Sequence, residues 1–280
     1  MMRSMYAAIS GLKVHQTMLD VTSNDIANVN TLGYKSQRTT FKESLSQLQR
    51  GAAAPNAAQG GSNAIQVGLG VQLGSIDNNM QTGALQTTGN PLDVALQSDG
   101  SWFRVGTANP AAGAGSIANV QYTRAGNFTR NEQGYLITQD GQYVLGRSAA
   151  GTGGADQLIQ IPSGSTNVSI AQDGSVSYDP ASGGARVTAG YLSLATFANE
   201  AGLQRVSSNR WSASSSSGAE NVGTPGGTFS LVAGGQTEMS NVDLAQEFTN
   251  MISAQRGFQA NSRVISTADQ MLQDLVNLNR

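Results

Sequence analysis

A chain of 280 residues with 16 Lys and Arg against 18 Asp and Glu has a formal charge of -2, and its basic residues form no stripe, which argues against a nucleic-acid partner. It has no cysteine, so disulfides, thiolate metal sites and cysteine nucleophiles are excluded; no run reaches the roughly eighteen apolar residues of a membrane span, so no membrane insertion is expected. Only 12% of residues are charged and 34 are glycine, which leaves a largely neutral, polar surface suited to packing against copies of itself.

The first element is a helix expected from about Ser4 to about Asn30. A step of seven picks out Met5, Leu12, Leu19 and Ile26, with Ala8, His15, Thr22 and Val29 between them and Ile9 widening the apolar face. Asn30-Thr-Leu-Gly33 closes the pattern at a residue that tolerates a left-handed cap. Residues 34 to 48 have apolar spacing compatible with either a short helix or an extended arm. Gly51 to Ser62 is a low-complexity run with too few large apolar residues to fold alone, and reads as a linker or surface loop. Gly68-Leu-Gly70-Val-Gln-Leu-Gly74 looks superficially like a dinucleotide fingerprint, but three residues precede the last glycine and no helix pattern follows; it is expected to be a bend.

From about Ala64 the pattern changes to short β-branched and aromatic runs punctuated by Gly, Asn and Asp, the signature of an antiparallel sheet. Asp99-Gly100, Asp140-Gly141 and Asp173-Gly174 stand at strand ends as turns and lack the alternating ligands of a calcium loop. Trp102 falls in a strand and is expected in the core. The runs Ala111 to Gly115, Ala149 to Gly154 and Ser212 to Gly218 are expected as exposed loops.

The last forty residues carry the second helix, expected from Asp243 to Asn279 and roughly 55 Å long at about 1.5 Å per residue. Its seven-residue step is Leu244, Met251, Phe258, Ile265 and Leu272, interleaved with Ala254, Asn261, Ala268 and Leu275; Glu247 spoils the first interleaved position. Ser240 with Asp243 resembles a capping box. The expected fold is α+β: paired long N- and C-terminal helices, coiled-coil-like, carrying a central, mainly antiparallel β domain. Residues 1–32 and 240–280 supply the helical inner domain, 33–75 a connecting arm, and 76–239 the β-rich outer domain.

Catalysis finds no footing. The single histidine, His15, occupies a seam position and reads as structural, no Gly-x-Ser-x-Gly elbow is present, and zinc lacks ligands. Neither an enzyme nor a cofactor is expected. The N-terminus is too short and too interrupted for the apolar region of a cleaved secretory signal.

The run Ser10-Gly-Leu12, then Leu19 through Asn24-Asp-Ile-Ala-Asn28-Val-Asn-Thr-Leu-Gly33-Tyr-Lys35, resembles the signature of the axial rod and hook proteins of the bacterial flagellum, in which Asn-Asn usually stands where this chain has Asn24-Asp25. Met239-Ser-Asn241-Val-Asp-Leu244 and Ala254-Gln255-Arg256-Gly-Phe-Gln-Ala-Asn261 are similar to the hook branch in particular, while Gly89 to Val94 and Tyr122 to Phe128 match the family's shared β domain. The resemblance implies a structural subunit of the curved hook, with the straight distal rod as the alternative. It implies export through the flagellar type III apparatus without signal cleavage, and a location in the extracellular hook or basal body. The implied partners are other copies in a helical homopolymer, the distal rod protein, the hook cap protein, the hook–filament junction protein and the export apparatus. The paired helices would line the channel, their apolar seam would be the axial assembly contact, and Asn261 would fix its register.

Overall fold

The computed structural model describes residues 2–54, 60–108, 117–151 and 153–278. These hold two α-helices, α1 (Met2–Ala27) and α2 (Leu244–Leu278). The chain divides into two compact units: the helices with residues 37–78, and residues 28–36 with 79–242.

In the helical unit, α1 stops at Ala27, short of Asn30. Asp243 caps α2, its Oδ1 accepting the amides of Ala245 at 2.9 Å and Gln246 at 3.3 Å. The covered face of α1 is small and polar: Ala8, Gly11, Val14, Thr22 and Asp25 are buried, whereas Met5, Ile9, Leu12, Leu19 and Ile26 are half-buried. On α2 only Ala254 and Ala268 are buried. A Cβ on Gly11 would lie 2.6 Å from Asn261 Nδ2, and one on Gly257 would lie 2.5 Å from the His15 ring.

These observations correct the expected fold. The class is α+β, with two helices flanking a large, mainly antiparallel β domain, but the coiled-coil-like pair is not what the helices make. Leu244, Phe258 and Leu275, three of the seam's large apolar residues, are exposed at 40%, 38% and 50%. The physical reason lies in the residues that do approach. Glycine at Gly11 and Gly257, facing Asn261 and His15, makes a close, flat contact without the hole that a leucine knob requires.

Residues 37–78 of the same unit form strands, so of the two conformations open for 34–48 the extended one is found. β1 (Gln37–Glu43) pairs with β4 (Val71–Asn78), and β2 (Ser46–Arg50) pairs with β3 (Ile65–Gly68), both antiparallel. The register shifts at Thr40/Phe41 and at Leu48/Arg50 bend this two-stranded ribbon. β1 and β4 rest on α1, where the His15 and Phe41 rings meet edge-on at 5.9 Å and the Val71 amide donates to Ser10 Oγ. Gly70, at φ +118°, leaves room for that hydroxyl. β2 and β3 are exposed along their whole length.

In the β unit, β5 (Leu85–Thr87) pairs with Gln236–Glu238 and β6 (Val94–Leu96) with Val232–Gly234. β7 (Ser101–Ala108) and β8 (Ile117–Thr123) form the centre of the main antiparallel sheet. Alternation along these strands fills two apolar clusters. One contains Val94, Leu96, Phe103, Val105 and Phe128; the other contains Trp102, Tyr122, Phe197 and Trp211. Trp102 is fully buried and meets Trp211 edge-on at 5.6 Å. Gly100, Gly141 and Gly174 have φ of +87°, +77° and +75°, as turns after Asp require. Ser217, expected on an exposed loop, is buried, because its hydroxyl accepts the Ser214 amide and donates to the Ser214 carbonyl. The expected loop 111–115 lies outside the described residues.

Candidate functional site

In the β unit three segments meet: residues 28–36, residues 79–84 and residues 236–242. Gly33, at φ +65°, donates its amide to the Glu238 carbonyl at 2.9 Å, and a Cβ there would lie 2.6 Å from the Ala125 nitrogen. Only glycine makes that turn this close to a neighbouring backbone. The turn delivers Lys35, whose Nζ sits 2.6 Å from Glu238 Oε1 and donates to the Gln81 carbonyl at 2.7 Å. The other carboxylate oxygen of Glu238 accepts from Arg124 Nη1 at 3.3 Å, and Oε1 also accepts the Gly83 amide at 3.0 Å. The side chains of Lys35, Glu238 and Arg124 are all fully buried. Arg124 lies over the Trp102 ring, 5.2 Å from its centroid.

One carboxylate therefore stands between two buried cations. Burial lowers the Lys35 amino group below its ordinary value, Glu238 pulls it back up, and Arg124 lowers it further. Asn241 completes the junction. Its Oδ1 accepts the Ser36 amide at 2.7 Å, and its Nδ2 donates to the carbonyls of Asn79 at 2.9 Å and Gln81 at 3.0 Å. Arg205 stacks over Tyr34, 4.6 Å from the ring centroid, and donates to the Lys35 carbonyl; Asn209 Nδ2 donates to the Leu32 carbonyl at 2.9 Å.

A second buried guanidinium ties the sheet itself together. Arg104 donates to both oxygens of Glu220 at 3.1 and 3.2 Å, to Asp156 at 2.9 Å and to Ser193 at 3.0 Å. Tyr122 adds its hydroxyl to Glu220 at 2.9 Å, and burial pushes its own ionisation upward. Both networks hold structure; neither presents a nucleophile beside a base. Among the described residues no cluster of His, Cys, Asp and Glu could hold a metal, and no helix is long and apolar enough to cross a membrane.

The residues singled out by the sequence are distributed unevenly. Gly33 and Asn241 come together in this junction, with Asn28 half-buried at its entry, whereas Asn24, Gln255 and Arg256 are exposed. Of the seam residues, Met251, Asn261, Ile265 and Leu272 are half-buried on α2. Leu244, Phe248, Ile252 and Phe258 are exposed on one side of α2, and Val264, Met271 and Leu275 are exposed roughly opposite, farther along the helix. Sequence reasoning gave Lys35, Arg124 and Glu238 no role, although Lys35 and Arg124 lie within motifs it had singled out.

An α+β chain that buries its charges against one another and leaves large apolar side chains exposed is put together as a structural subunit. Known proteins agree. Residues 5–35 match the model of the flagella basal body rod protein, residues 102–178 that of the flagellar hook protein FlgE/F/G D1 domain, and residues 233–278 that of the flagellar basal body rod FlgEFG protein C-terminal. The chain is 46% identical over 283 aligned positions to the flagellar basal-body rod protein FlgG of Bacillus subtilis, covering all of both chains. It is 37% identical to the FlgG of Agrobacterium fabrum, covering 96% of this chain and 97% of that one. It is 28% identical over 440 positions to the flagellar hook protein FlgE of Borreliella burgdorferi, covering 99% of this chain and all of the other. The chain belongs to the flagellar rod and hook family, a family of structural proteins rather than enzymes.

Proposed function

We propose that this chain is a subunit of the distal rod of the flagellar basal body, polymerising with copies of itself into a straight tube. The observation that carries this reading is the end-to-end match to a rod protein at 46% identity over 283 positions, nearly this chain's own length. Alignment to the hook relative has to extend to 440 positions. The hook, favoured by the run Ala254 to Asn261 in the sequence, is thus the second reading, supported by the 28% relative.

The mechanism is mechanical. Exposed Leu244, Phe248, Ile252 and Phe258 on α2, with Leu45, Leu48, Ile65 and Val67 on the ribbon, leave water when subunits stack. Each fully buried side chain of this size contributes about 2 kcal/mol. Polar buried networks keep each β unit in one shape, so torque passes between subunits without deforming them. The subunit reaches its place by export without signal cleavage, and its partners are its own copies, the hook subunits beyond them and the export apparatus.

Electron microscopy of assemblies from the purified chain tests the proposal. Straight tubes are expected, together with a deletion strain whose basal bodies lack the distal rod. Curved tubes, or a strain with a complete rod and no hook, would overturn it in favour of the hook.

A further inference from the structure

The chain enters and leaves the β unit at residues 28, 36, 79 and 242, and every one of these crossings lies in or beside the three segments that meet around Lys35 and Asn241. The side chains that join them stand outside both apolar clusters. Apolar packing tolerates small sliding, whereas hydrogen bonds weaken steeply when their angles change, so polar joints fix direction. Asn241 spends its acceptor on one segment and both donors on another, while belonging to the third. Glu238 does the same through Lys35 and Gly83, and Arg124 anchors it to the sheet next to β8.

We propose that Asn241 and the Lys35–Glu238–Arg124 triad form a clasp that fixes the directions in which the chain leaves the β unit, and that these residues set the stiffness of the subunit. The clasp itself is a property of the single chain; its consequence for polymer stiffness rests on the rod reading above.

Hydrogen exchange on the full-length monomer separates a clasp from ordinary fold support. In Asn241→Ala, the amides of Gly33, Ser36, Asn79 and Gly83 are expected to exchange about tenfold faster or more, because local opening becomes easier. Those of Phe103, Val105 and Tyr122 should be unchanged. Lys35→Met provides a second variant that leaves Glu238 paired with Arg124, and it should give the same local pattern. Uniform acceleration across the sheet would make these residues mere fold support, and no acceleration would mean that nothing is locked; either overturns the clasp. The polymer arm reads persistence length by electron microscopy. A shorter persistence length in Asn241→Ala tubes is expected, and equal stiffness despite faster exchange would remove the stiffness role. If the unaltered chain forms no straight tube, the rod reading fails, while the exchange pattern still decides the clasp.

Discussion

Glu238 is the residue on which two cations depend, and that asymmetry is measurable. Lys35→Met leaves the Glu238–Arg124 pair in place, whereas Glu238→Gln strands both Lys35 and Arg124 in a buried site. Urea unfolding should therefore show Glu238→Gln losing on the order of 3 kcal/mol or more, and Lys35→Met clearly less. Equal losses would mean that the carboxylate is not shared. Asp99 gives a pH-dependent test. The Thr82 hydroxyl and amide both donate to its Oδ1, and these bonds hold its carboxyl below the ordinary value of 3.8. An acid with a depressed folded pKa contributes stability above its unfolded value, and that contribution disappears as pH falls below 3.8 through the folded value. Thr82→Ala, which removes the hydroxyl and keeps the amide, should raise the Asp99 midpoint toward 3.8 in a carboxyl-resonance titration; an unmoved midpoint would show that the hydroxyl bond does not set it. Gly126 carries a steric prediction, since a Cβ there would sit 1.7 Å from the Val94 carbonyl oxygen. Gly126→Ala should destabilise the β unit by about 2 kcal/mol, read as a lowered Tm. At this scale the sequence was partly legible. Gly33 and Asn241 stood in recognisable motifs, but composition places charged residues at the surface, so nothing in Lys35, Arg124 or Glu238 as letters marked them as buried partners.

The helices show how a period can be read from sequence while what covers it cannot. A step of seven identifies a stripe but does not say whether water, the same chain or another copy covers it. In α1 the buried positions are Ala8, Gly11, Val14, Thr22 and Asp25, so the interleaved seam positions Ala8 and Thr22 are covered while Leu12, Leu19 and Ile26 of the seven-residue step are half-buried. Small residues win the interior because they let backbones approach closely, and the larger side chains are displaced to the flanks. Glu247, which breaks the apolar pattern, lies half-buried with Asp25 nearby, and burial raises its carboxyl pKa, with Asp25 and Asp243 adding to the rise. Phe258→Ser and Leu275→Ser should each cost the monomer only on the order of 1 kcal/mol, because both side chains are already partly exposed. They should raise the protein concentration needed for assembly, measured by sedimentation. Unchanged assembly would remove these residues from the contact surface. The ribbon was harder to read, since residues 34–48 fit two conformations and only pairing with residues 65–78, reached across a low-complexity run, selects the strand.

For the molecule as a whole, the turns, the antiparallel class and the core position of Trp102 were legible because they follow from local chemistry. The junction was not, since Lys35 and Glu238 lie 203 residues apart. Closing a loop of that length costs about 5 kcal/mol in chain entropy by the logarithmic law, so such a contact forms only after local pairs have narrowed the search. β7 and β8 are near neighbours in sequence and should pair first. Pulse-labelled refolding should accordingly protect the Val105 amide before those of Gly33 and Gly83; simultaneous protection would contradict this order. The same separation gives the clasp a bearing on timing. A chain that emerges N-terminus first presents Lys35, then Arg124, and the carboxylate that bonds both arrives only with Glu238. The junction therefore stays open until the chain has emerged as far as Glu238 and Asn241, and its closure marks the arrival of the segment that leads into α2.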